Sequence, residues 1–247
     1  MAQRVRYESS SEIGVYSLLT NTYCLMSDLA PPPFRAVFES ELSGKIPIIS
    51  TSVAECSIIG RLCCGNSHGL ILPSTTKDSE FERIAAEMPE NVKVVKSDEK
   101  YTALGNLIAC NDSHAICSPI LSESTVKLIE ETLEVSVCTK LVAGESLVGT
   151  FCKVTNKGAL VHPLTPIVEQ RELAKIFGVS VRAGTVNAGS ELVGSGLVAC
   201  DDKVFVGTKT TGTEIEVIKE VFAIKEEMPD ELMMDLDKAI EMEFFNE

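Results

Sequence analysis

The sequence predicts an α/β fold in which five similar units close into a ring, and three recurring features support this prediction. The first is a glycine that returns at intervals of 46, 45, 44 and 45 residues. The second is an Asn or Asp six or seven residues after each glycine. The third is a helix-forming segment followed by a short β-rich run. A period near 45 residues that is kept four times is typical of a repeat architecture.

The repeated glycine lies in the first third of each unit, and a polar turn follows it. The glycines are Gly14, Gly60, Gly105, Gly149 and Gly194. The turn residues are Asn21, Asn66, Asn111, Asn156 and Asp201. Asn and Asp tolerate left-handed backbone geometry and bond to their own backbone, and apolar runs flank each of them, as in LLTNTYCLM and CKVTNKGALV. Each unit is therefore predicted to contain a β-hairpin.

A helix with a recognisable start follows the hairpin in most units. The predicted start signals are Ser79 with Glu82, Ser122, Thr165 before Pro166, and Thr211 with Glu214. The β-rich runs that come next are IPIIS, VKVVK, VSVCT and VSVRA, with AIK as a weak fifth. The unit is therefore strand–strand–helix–strand.

Five such units account for residues 1–225, with boundaries near 1–45, 46–91, 92–135, 136–180 and 181–225. Closing the units into a ring packs every sheet against a neighbour and leaves no edge strand bare. We therefore expect one five-fold pseudosymmetric α/β propeller. An open solenoid is the alternative, but it needs polar capping repeats at both ends, and the sequence shows none.

The acidity of the chain is concentrated in its last residues. The 247 residues carry a formal charge of −14, of which residues 226–247 contribute −8. We expect this acidic C-terminal tail to be dispensable for the fold, either as a solvated segment or as a docking or regulatory one. The acidity argues against recognition of nucleic acid through phosphates, which needs clustered Lys and Arg. No apolar run approaches the length of a membrane span.

Little in the sequence indicates catalysis, a metal or a cofactor. The nine cysteines include no CxxC pair and are predicted to be reduced core residues. His68, His114 and His162 stand at strand ends or turns, where a structural role is expected, although composition alone leaves a Cys–His–acid set open. The glycine-rich segment at 184–196 leads into a strand instead of a helix, so it does not fit phosphate binding.

Several of these repeat segments closely resemble the translation initiation factor 6 family, the ribosome anti-association factors. They are LTNTYCLM, IIGRLCCGNSHGLILP, ALGNLIACND, GALVHP and RAGTVNAGSELVGSG. The resemblance runs from about residue 4 to 225 and implies the pentein fold, a five-fold α/β propeller, in agreement with the repeat pattern. Archaeal members lack a long tail, so the resemblance favours a eukaryotic protein.

The resemblance implies a binding protein that is not an enzyme and is a monomer when free. Family members bind the large (60S) ribosomal subunit on its intersubunit face and sterically prevent association with the small (40S) subunit. They accompany the large subunit during biogenesis and nuclear export, so nucleus, nucleolus and cytoplasm are the expected locations. The implied partners are a ribosomal protein beside the sarcin–ricin loop, with possible RNA contact at the rim, a release GTPase resembling elongation factor two, and the Shwachman–Bodian–Diamond protein.

The candidate binding face follows from the symmetry. Residues just after each repeat glycine are expected to cluster around the pseudo-axis, and they differ chemically from one another: Val15, Arg61, Asn106, Thr150 and Ser195. The alternative is simple drift at exposed sites. The resemblance favours Arg61 and Asn106 as ribosome-binding residues, with Cys56, Phe151 and Leu192 beside them. Many family members carry Tyr at the position of Phe151, so an aromatic anchor would remain but a hydroxyl contact would not.

The competing function is that of the guanidino-modifying enzymes, which form another branch of the pentein fold and use Cys, His and an acid. Here His114 and His162 both lack the acidic residue that would be expected two positions later. Cys200 is the nearest candidate nucleophile, but it lies in an apolar strand beside Asp201. The sequence therefore favours the binding protein.

Overall fold

The computed structural model describes residues 2–42 and 44–224. Within them, fifteen strands form five three-stranded sheets. In each sheet the middle strand runs antiparallel to the first and parallel to the third. The strands, sheet by sheet, are β2 (Ser17–Leu19), β3 (Cys24–Ser27) and β4 (Ile48–Thr51); β5 (Cys64–Gly65), β6 (Gly69–Leu72) and β7 (Lys93–Lys96); β8 (Ile108–Cys110), β9 (His114–Cys117) and β10 (Ser136–Thr139); β11 (Cys152–Val154), β12 (Gly158–Val161) and β13 (Ser180–Ala183); and β14 (Leu197–Ala199), β15 (Val204–Gly207) and β1 (Ala2–Val5).

Two kinds of helix connect these strands. A longer outer helix follows the middle strand of each sheet: α1 (Pro32–Leu42), α3 (Asp78–Glu87), α5 (Glu123–Leu133), α7 (Ile167–Phe177) and α9 (Gly212–Val221). The first four lead to the third strand of the same sheet, whereas no strand follows α9 within the described residues. One-turn helices hold the repeat glycines and lead into the first strand of each sheet: a 3₁₀ turn (Ile13–Val15), α2 (Ile59–Leu62), α4 (Leu104–Leu107), α6 (Val148–Phe151) and α8 (Val193–Gly196). The predicted fold class, five strand–strand–helix–strand units in an α/β propeller, is thereby confirmed.

The two ends of the ring share one sheet, so the ring is closed and the solenoid alternative is wrong. Strand β1 pairs in parallel with β15, from Ala2 opposite Val204 to Val5 opposite Gly207. The Phe38 ring of α1 stacks on Phe205 of β15 with centroids 4.0 Å apart, which seals the same seam. Both contacts join segments more than 160 residues apart in the sequence.

The predicted fifth strand at AIK was wrong, because its place beside β15 is occupied by β1. Helix α9 ends at Val221, and Ala223 turns the chain with φ of +49°. Ile224 is buried against the core of the fifth unit instead of pairing with a strand.

Two of the four helix start signals are confirmed. Ser122 and Thr211 accept hydrogen bonds from the backbone three residues later and begin α5 and α9. Helix α3 instead begins at Asp78, where the carboxylate of Glu80 accepts the N–H of Lys77, so Ser79 lies inside the helix. The prediction that Thr165 begins a helix was also wrong. Pro166 directly precedes α7, and the Thr165 hydroxyl has no hydrogen-bond partner among the described residues.

The outer helices interlock the units. Helix α5 packs on β6, α7 on β9 and α9 on β12, so each helix contacts the sheet of the preceding unit as well as its own. Five apolar clusters fill these spaces. Buried thiols belong to several of them, as predicted for reduced core cysteines: Cys24, Cys63, Cys64, Cys117, Cys152 and Cys200.

The predicted acidic tail, residues 226–247, lies outside the described residues, as do residues 1, 43 and 225. Among the helices of the described ranges, none combines the length and the apolar character needed to cross a bilayer.

Candidate binding face

The parallel pairing of the middle and third strands gives the ring two distinct faces. Both strands end at the same edge, where the one-turn helices and the starts of the outer helices lie. We call this side the glycine face; it comprises residues 6–16, 28–31, 52–63, 73–77, 97–107, 118–122, 140–151, 162–168, 184–196 and 208–211. The opposite side, with the hairpin turns at 20–23, 66–68, 111–113, 155–157 and 200–203, is the turn face.

The repeat glycines form a closed ring of backbone contacts at the centre of the glycine face. A Cβ atom built on any one of them would lie well inside contact distance of the carbonyl oxygen of the glycine in the preceding unit. The contacts run from Gly194 to Gly149, Gly105, Gly60 and Gly14 and then back to Gly194. Only a residue without a side chain permits this approach, which explains the 45-residue period.

The structure brings the predicted residues after these glycines together around the axis. The Thr150 hydroxyl donates to Asn106 Oδ1 at 3.0 Å, which links two neighbouring units. Arg61 turns inward: its guanidinium donates to the carbonyls of Gly194 at 2.9 Å and Gly149 at 3.4 Å, on the far side of the ring. The side chain of Arg61 therefore closes the axis from the glycine face.

The remaining predicted residues lie near this centre at different depths. Ser195 and Phe151 are buried, and the Phe151 ring meets the His162 ring edge-on with centroids 5.1 Å apart. Val15 and Leu192 are half-buried. Cys56 is exposed in a tight turn, in which its backbone pairs with that of Val53. Thus Phe151 is part of the support beneath the face, whereas Cys56 is accessible on its surface.

Sequence reasoning missed the most prominent property of the glycine face, its apolar surface. Nine large hydrophobic residues are exposed within the described ranges, and all nine lie on this face. They are Leu29, Ile58, Tyr101, Ile120, Leu141, Leu147 and Leu164 in the connections, and Ile167 and Val168 in the first turn of α7, at the same edge. Their exposed fractions run from 37% to 76%. Concentrated exposed apolar residues mark protein interaction sites.

A signal for two of these residues was present in the sequence. Ile58 and Leu147 stand two positions before repeat glycines, directly in front of the one-turn helices. Leu192, which was predicted, holds the equivalent place before Gly194. The periodicity alone did not reveal that Ile58 and Leu147 are exposed.

Carboxylates of the outer helices hold the turns of the glycine face in place. Each accepts hydrogen bonds of 2.9 to 3.1 Å from backbone N–H groups of a turn whose residues have positive φ. The pairs are Glu80 with Ala54 and Glu55, Glu169 with Ala143, and Glu214 with Ala188 and Gly189. Burial raises the pKa of Glu214, but hydrogen bonds from the Thr211 backbone, the Thr185 hydroxyl and the Gly189 backbone outweigh burial and bring the pKa to about 2. The carboxylate is therefore ionised and holds the turn at neutral pH.

The turn face is sealed by reciprocal polar contacts instead. The side-chain amides of Asn21 and Asn156 each donate to Oδ2 of both Asp112 and Asp201, at 2.6 to 3.0 Å. The backbone N–H of Asp201 donates in turn to Asn21 Oδ1 at 2.9 Å. Burial raises the pKa of Asp112, but hydrogen bonds, chiefly from Asn156, produce a net lowering. The Asp112 carboxylate thus stays ionised, and both Asp112 and Asp201 are bound to amides across the axis.

The groups considered for catalysis are not arranged as an activated set. Cys200 is buried, and burial raises the pKa of its thiol, whereas an enzymatic nucleophile requires a lowered one. His162 Nδ1 accepts the N–H of Leu164 at 3.1 Å, and Nε2 lies 3.1 Å from Glu191. Within residues 2–42 and 44–224, no cluster of three or more His, Cys, Asp or Glu is placed to hold a metal ion.

Taken together, the geometry defines a closed α/β propeller of the pentein type whose exposed large hydrophobic residues all lie on one face. The model of the eIF-6 family matches residues 2–221, and the chain belongs to this family. Eukaryotic translation initiation factor 6 of Schizosaccharomyces pombe is 42% identical over 98% of this chain and 99% of its own length. The factor of Drosophila melanogaster is 42% identical over 97% and 98%, respectively.

Solved structures of enzymes show a more distant likeness. Dimethylarginine dimethylaminohydrolase from Pseudomonas aeruginosa has a TM-score of 0.44 and 14% identity, over 70% of this chain and 69% of its own. A cyanobacterial arginine dihydrolase has a TM-score of 0.46 and 14% identity, over 69% of this chain and 28% of its own.

Proposed function

We propose that this translation initiation factor binds the intersubunit face of the large (60S) ribosomal subunit through its glycine face and sterically prevents joining of the small (40S) subunit. The observation that carries the proposal is the distribution of exposed apolar residues, since all nine large ones in the described ranges lie on that face. A monomeric protein rarely exposes so many large hydrophobic groups on one side without a partner.

The centre of the glycine face has the composition expected of a specific contact. Ile58, Leu147 and Leu192 surround the glycine ring, and Asn106 is a half-buried amide held by Thr150. The five units present different side chains at equivalent positions, so the surface suits one asymmetric partner. Such a partner is proposed to be a ribosomal protein beside the sarcin–ricin loop, with RNA contact at the rim.

The wider role proposed here follows family membership. The protein accompanies the large subunit through biogenesis and nuclear export, and so acts in the nucleus, the nucleolus and the cytoplasm. Its release involves a GTPase resembling elongation factor two and the Shwachman–Bodian–Diamond protein. It acts without catalysis, in keeping with relatives that are named as initiation factors and with the raised pKa of the buried Cys200 thiol.

The proposal is tested by subunit joining. Purified large subunits are saturated with the protein, small subunits are added, and joined ribosomes are measured by sedimentation. The wild type is expected to suppress joining. The double variant Ile58→Ser, Leu147→Ser is expected to lose at least tenfold in affinity for the large subunit, because two central apolar contacts are removed.

The matched control is Lys93→Ala, an exposed residue at the turn-face end of β7. It should suppress joining as well as the wild type, and all three proteins should melt at similar temperatures. Normal binding by the double variant would show that another surface makes the contact. Unimpaired joining at saturating wild-type protein would overturn the function itself.

A further inference from the structure

Two thiols from neighbouring units meet beside the axis of the ring. Cys64 of β5 and Cys110 of β8 have their sulfur atoms 3.7 Å apart, within hydrogen-bonding distance for sulfur. It is the one sulfur–sulfur contact of this kind in the described ranges, where all nine cysteines are free thiols. A disulfide has its sulfur atoms about 2.05 Å apart, so these two need to approach each other by less than about 2 Å.

Contacts between the second and third units set the positions of both sulfur atoms. Cys110 Sγ lies 3.5 Å from the carbonyl oxygen of Gly65, the residue after Cys64. The buried side-chain amide of Asn66 donates to the carbonyl of Asn111 at 3.1 Å. The meeting of the two thiols is therefore a consequence of how the first strands of these units pack along the axis.

Small molecules have room to reach this pair from the interior of the ring. A cavity of about 50 Å³ is bordered by both thiols, and a second one of about 30 Å³ is bordered by Cys110 and extends to the turn face at Asp112 and Asp201. One water molecule needs roughly 10–15 Å³ of such space, so each cavity has room for hydrogen peroxide. Cys110 is half-buried whereas Cys64 is only 4% exposed, so Cys110 is the more accessible of the two.

The surroundings give the two sulfur atoms different roles. Half-buried Lys153 borders both cavities. Burial lowers the pKa of Lys153, but the negative charge of a Cys110 thiolate acts against burial. This attraction is mutual, so the ammonium group of Lys153 favours the thiolate, which is the form that reacts with peroxides. The hydrogen bond with Cys110 raises the pKa of Cys64, and burial acts in the same direction, so Cys64 keeps its proton and donates in that bond.

We propose that Cys110 and Cys64 form a modification site at which hydrogen peroxide converts the two thiols into a disulfide between the third and second units. The Cys110 thiolate attacks one peroxide oxygen, so that an S–O bond forms, the O–O bond breaks, and the departing hydroxide takes up the proton that Cys110 released. The Cys64 sulfur then attacks the sulfenic acid. An S–S bond forms, the S–O bond breaks, and the hydroxide leaves with the Cys64 proton as water. The two sulfur atoms lose two electrons in total, which reduce one peroxide to two water molecules.

The disulfide would stabilise the ring next to the candidate binding residues. It joins residues 46 positions apart in the chain, and such a cross-link lowers the entropy of the unfolded state. Cys64 stands three positions after Arg61, and Cys110 stands four after Asn106. The proposal concerns the ring itself and does not depend on ribosome binding.

The test treats the full-length protein with hydrogen peroxide at low protein concentration, alkylates the remaining thiols and maps a tryptic digest by mass spectrometry without reduction. The main cross-linked product is expected to join residues 62–77 to residues 101–127, with fragmentation assigning the bond to Cys64 and Cys110. The melting temperature of the treated protein is expected to rise by roughly 5 °C or more. Dithiothreitol should reverse both changes.

Cys110→Ser removes the attacking sulfur, and it is expected to lose both the linked peptides and the gain in melting temperature. The matched control is Cys117→Ser, in the same tryptic peptide, whose sulfur lies 3.8 Å from the Thr139 hydroxyl and should be replaceable there. It should respond to peroxide as the wild type does. The wild-type map is independent of whether either variant folds. Unchanged thiols at both positions, sulfinic acid at Cys110 without a link to Cys64, or an equal gain in melting temperature in Cys110→Ser would overturn the proposal.

Discussion

The two faces of the ring solve the problem of fivefold closure in different ways. The glycine face closes through backbone contacts that all five repeat glycines share. Arg61 and the hydrogen bond from Thr150 to Asn106 add side-chain links at single places, so most of the surrounding side chains take no part in closure and differ from unit to unit. The turn face closes through side chains, because Asn21, Asp112, Asn156 and Asp201 bond to one another across the axis. A face closed by its backbone leaves its side chains available for a partner, whereas a face closed by side chains does not.

Substitution of a ring glycine should produce the largest effect. Gly105→Ala places a Cβ against the carbonyl oxygens of Gly60 and Cys63, which are backbone atoms and cannot move alone. We expect a loss of about 3 kcal/mol or more in the free energy of unfolding, measured by denaturant titration.

The control for this variant is Gly212→Ala, at the start of α9, where a Cβ would meet no atom within 4 Å. There alanine should be neutral or stabilise by up to about 1 kcal/mol, because it favours the helix. Similar stability of the two variants would mean that backbone contact does not close the glycine face.

The turn face should be most sensitive at its buried asparagines. Asn111 Oδ1 accepts the N–H groups of Ser113 and His114, and its Nδ2 donates to the carbonyls of Thr155 and Phe177 in the next unit. Asn111→Ala leaves these buried groups unpaired and should cost about 2–3 kcal/mol in unfolding free energy.

The control is Asn156, an exposed asparagine of the next hairpin turn, where Thr155 holds the place that Asn111 has in its own unit. Asn156→Ala should cost less than about 1 kcal/mol, because water replaces the lost amide. If Asn111→Ala and Asn156→Ala reduce the free energy of unfolding equally, then the buried hydrogen bonds between units do not stabilise the turn face.

Two features of the faces could be predicted from the sequence, because each of them depends on a single residue type. The glycine period was visible because the close approach admits no other residue, and Asn111 was visible because a side chain that bonds its own turn is selected locally. The pairing of β1 with β15 left no local signal, since its partners are about 200 residues apart. Likewise, the inward turn of Arg61 and the exposure of Leu147 depend on contacts between units, which periodicity does not describe.

Substitution of Glu99, a carboxylate at the edge of the glycine face, should have the smallest effect on the free energy of unfolding, and this effect should depend on pH. Glu99 accepts from the backbone and hydroxyl of Ser122 and from the Thr125 hydroxyl, all at 2.9 to 3.0 Å. Burial raises its pKa, but these hydrogen bonds prevail and lower it from 4.5 to about 2. Because the folded-state pKa is lowered, the stabilisation is complete above about pH 4.5 and is lost as the pH falls toward about 2.

Glu99→Gln should therefore reduce the free energy of unfolding by about 1–2 kcal/mol at pH 7, where the wild-type carboxylate is ionised and fully hydrogen-bonded. The difference between variant and wild type should shrink between pH 4.5 and pH 2, as the wild-type group takes up its proton. Glu90→Gln, at an exposed residue of the loop after α3, is the control and should track the wild type at every pH. A deficit of Glu99→Gln that stays constant down to pH 2 would mean that shape, and not charge, holds the connection at Glu99, and the glycine face would then owe its order to packing alone.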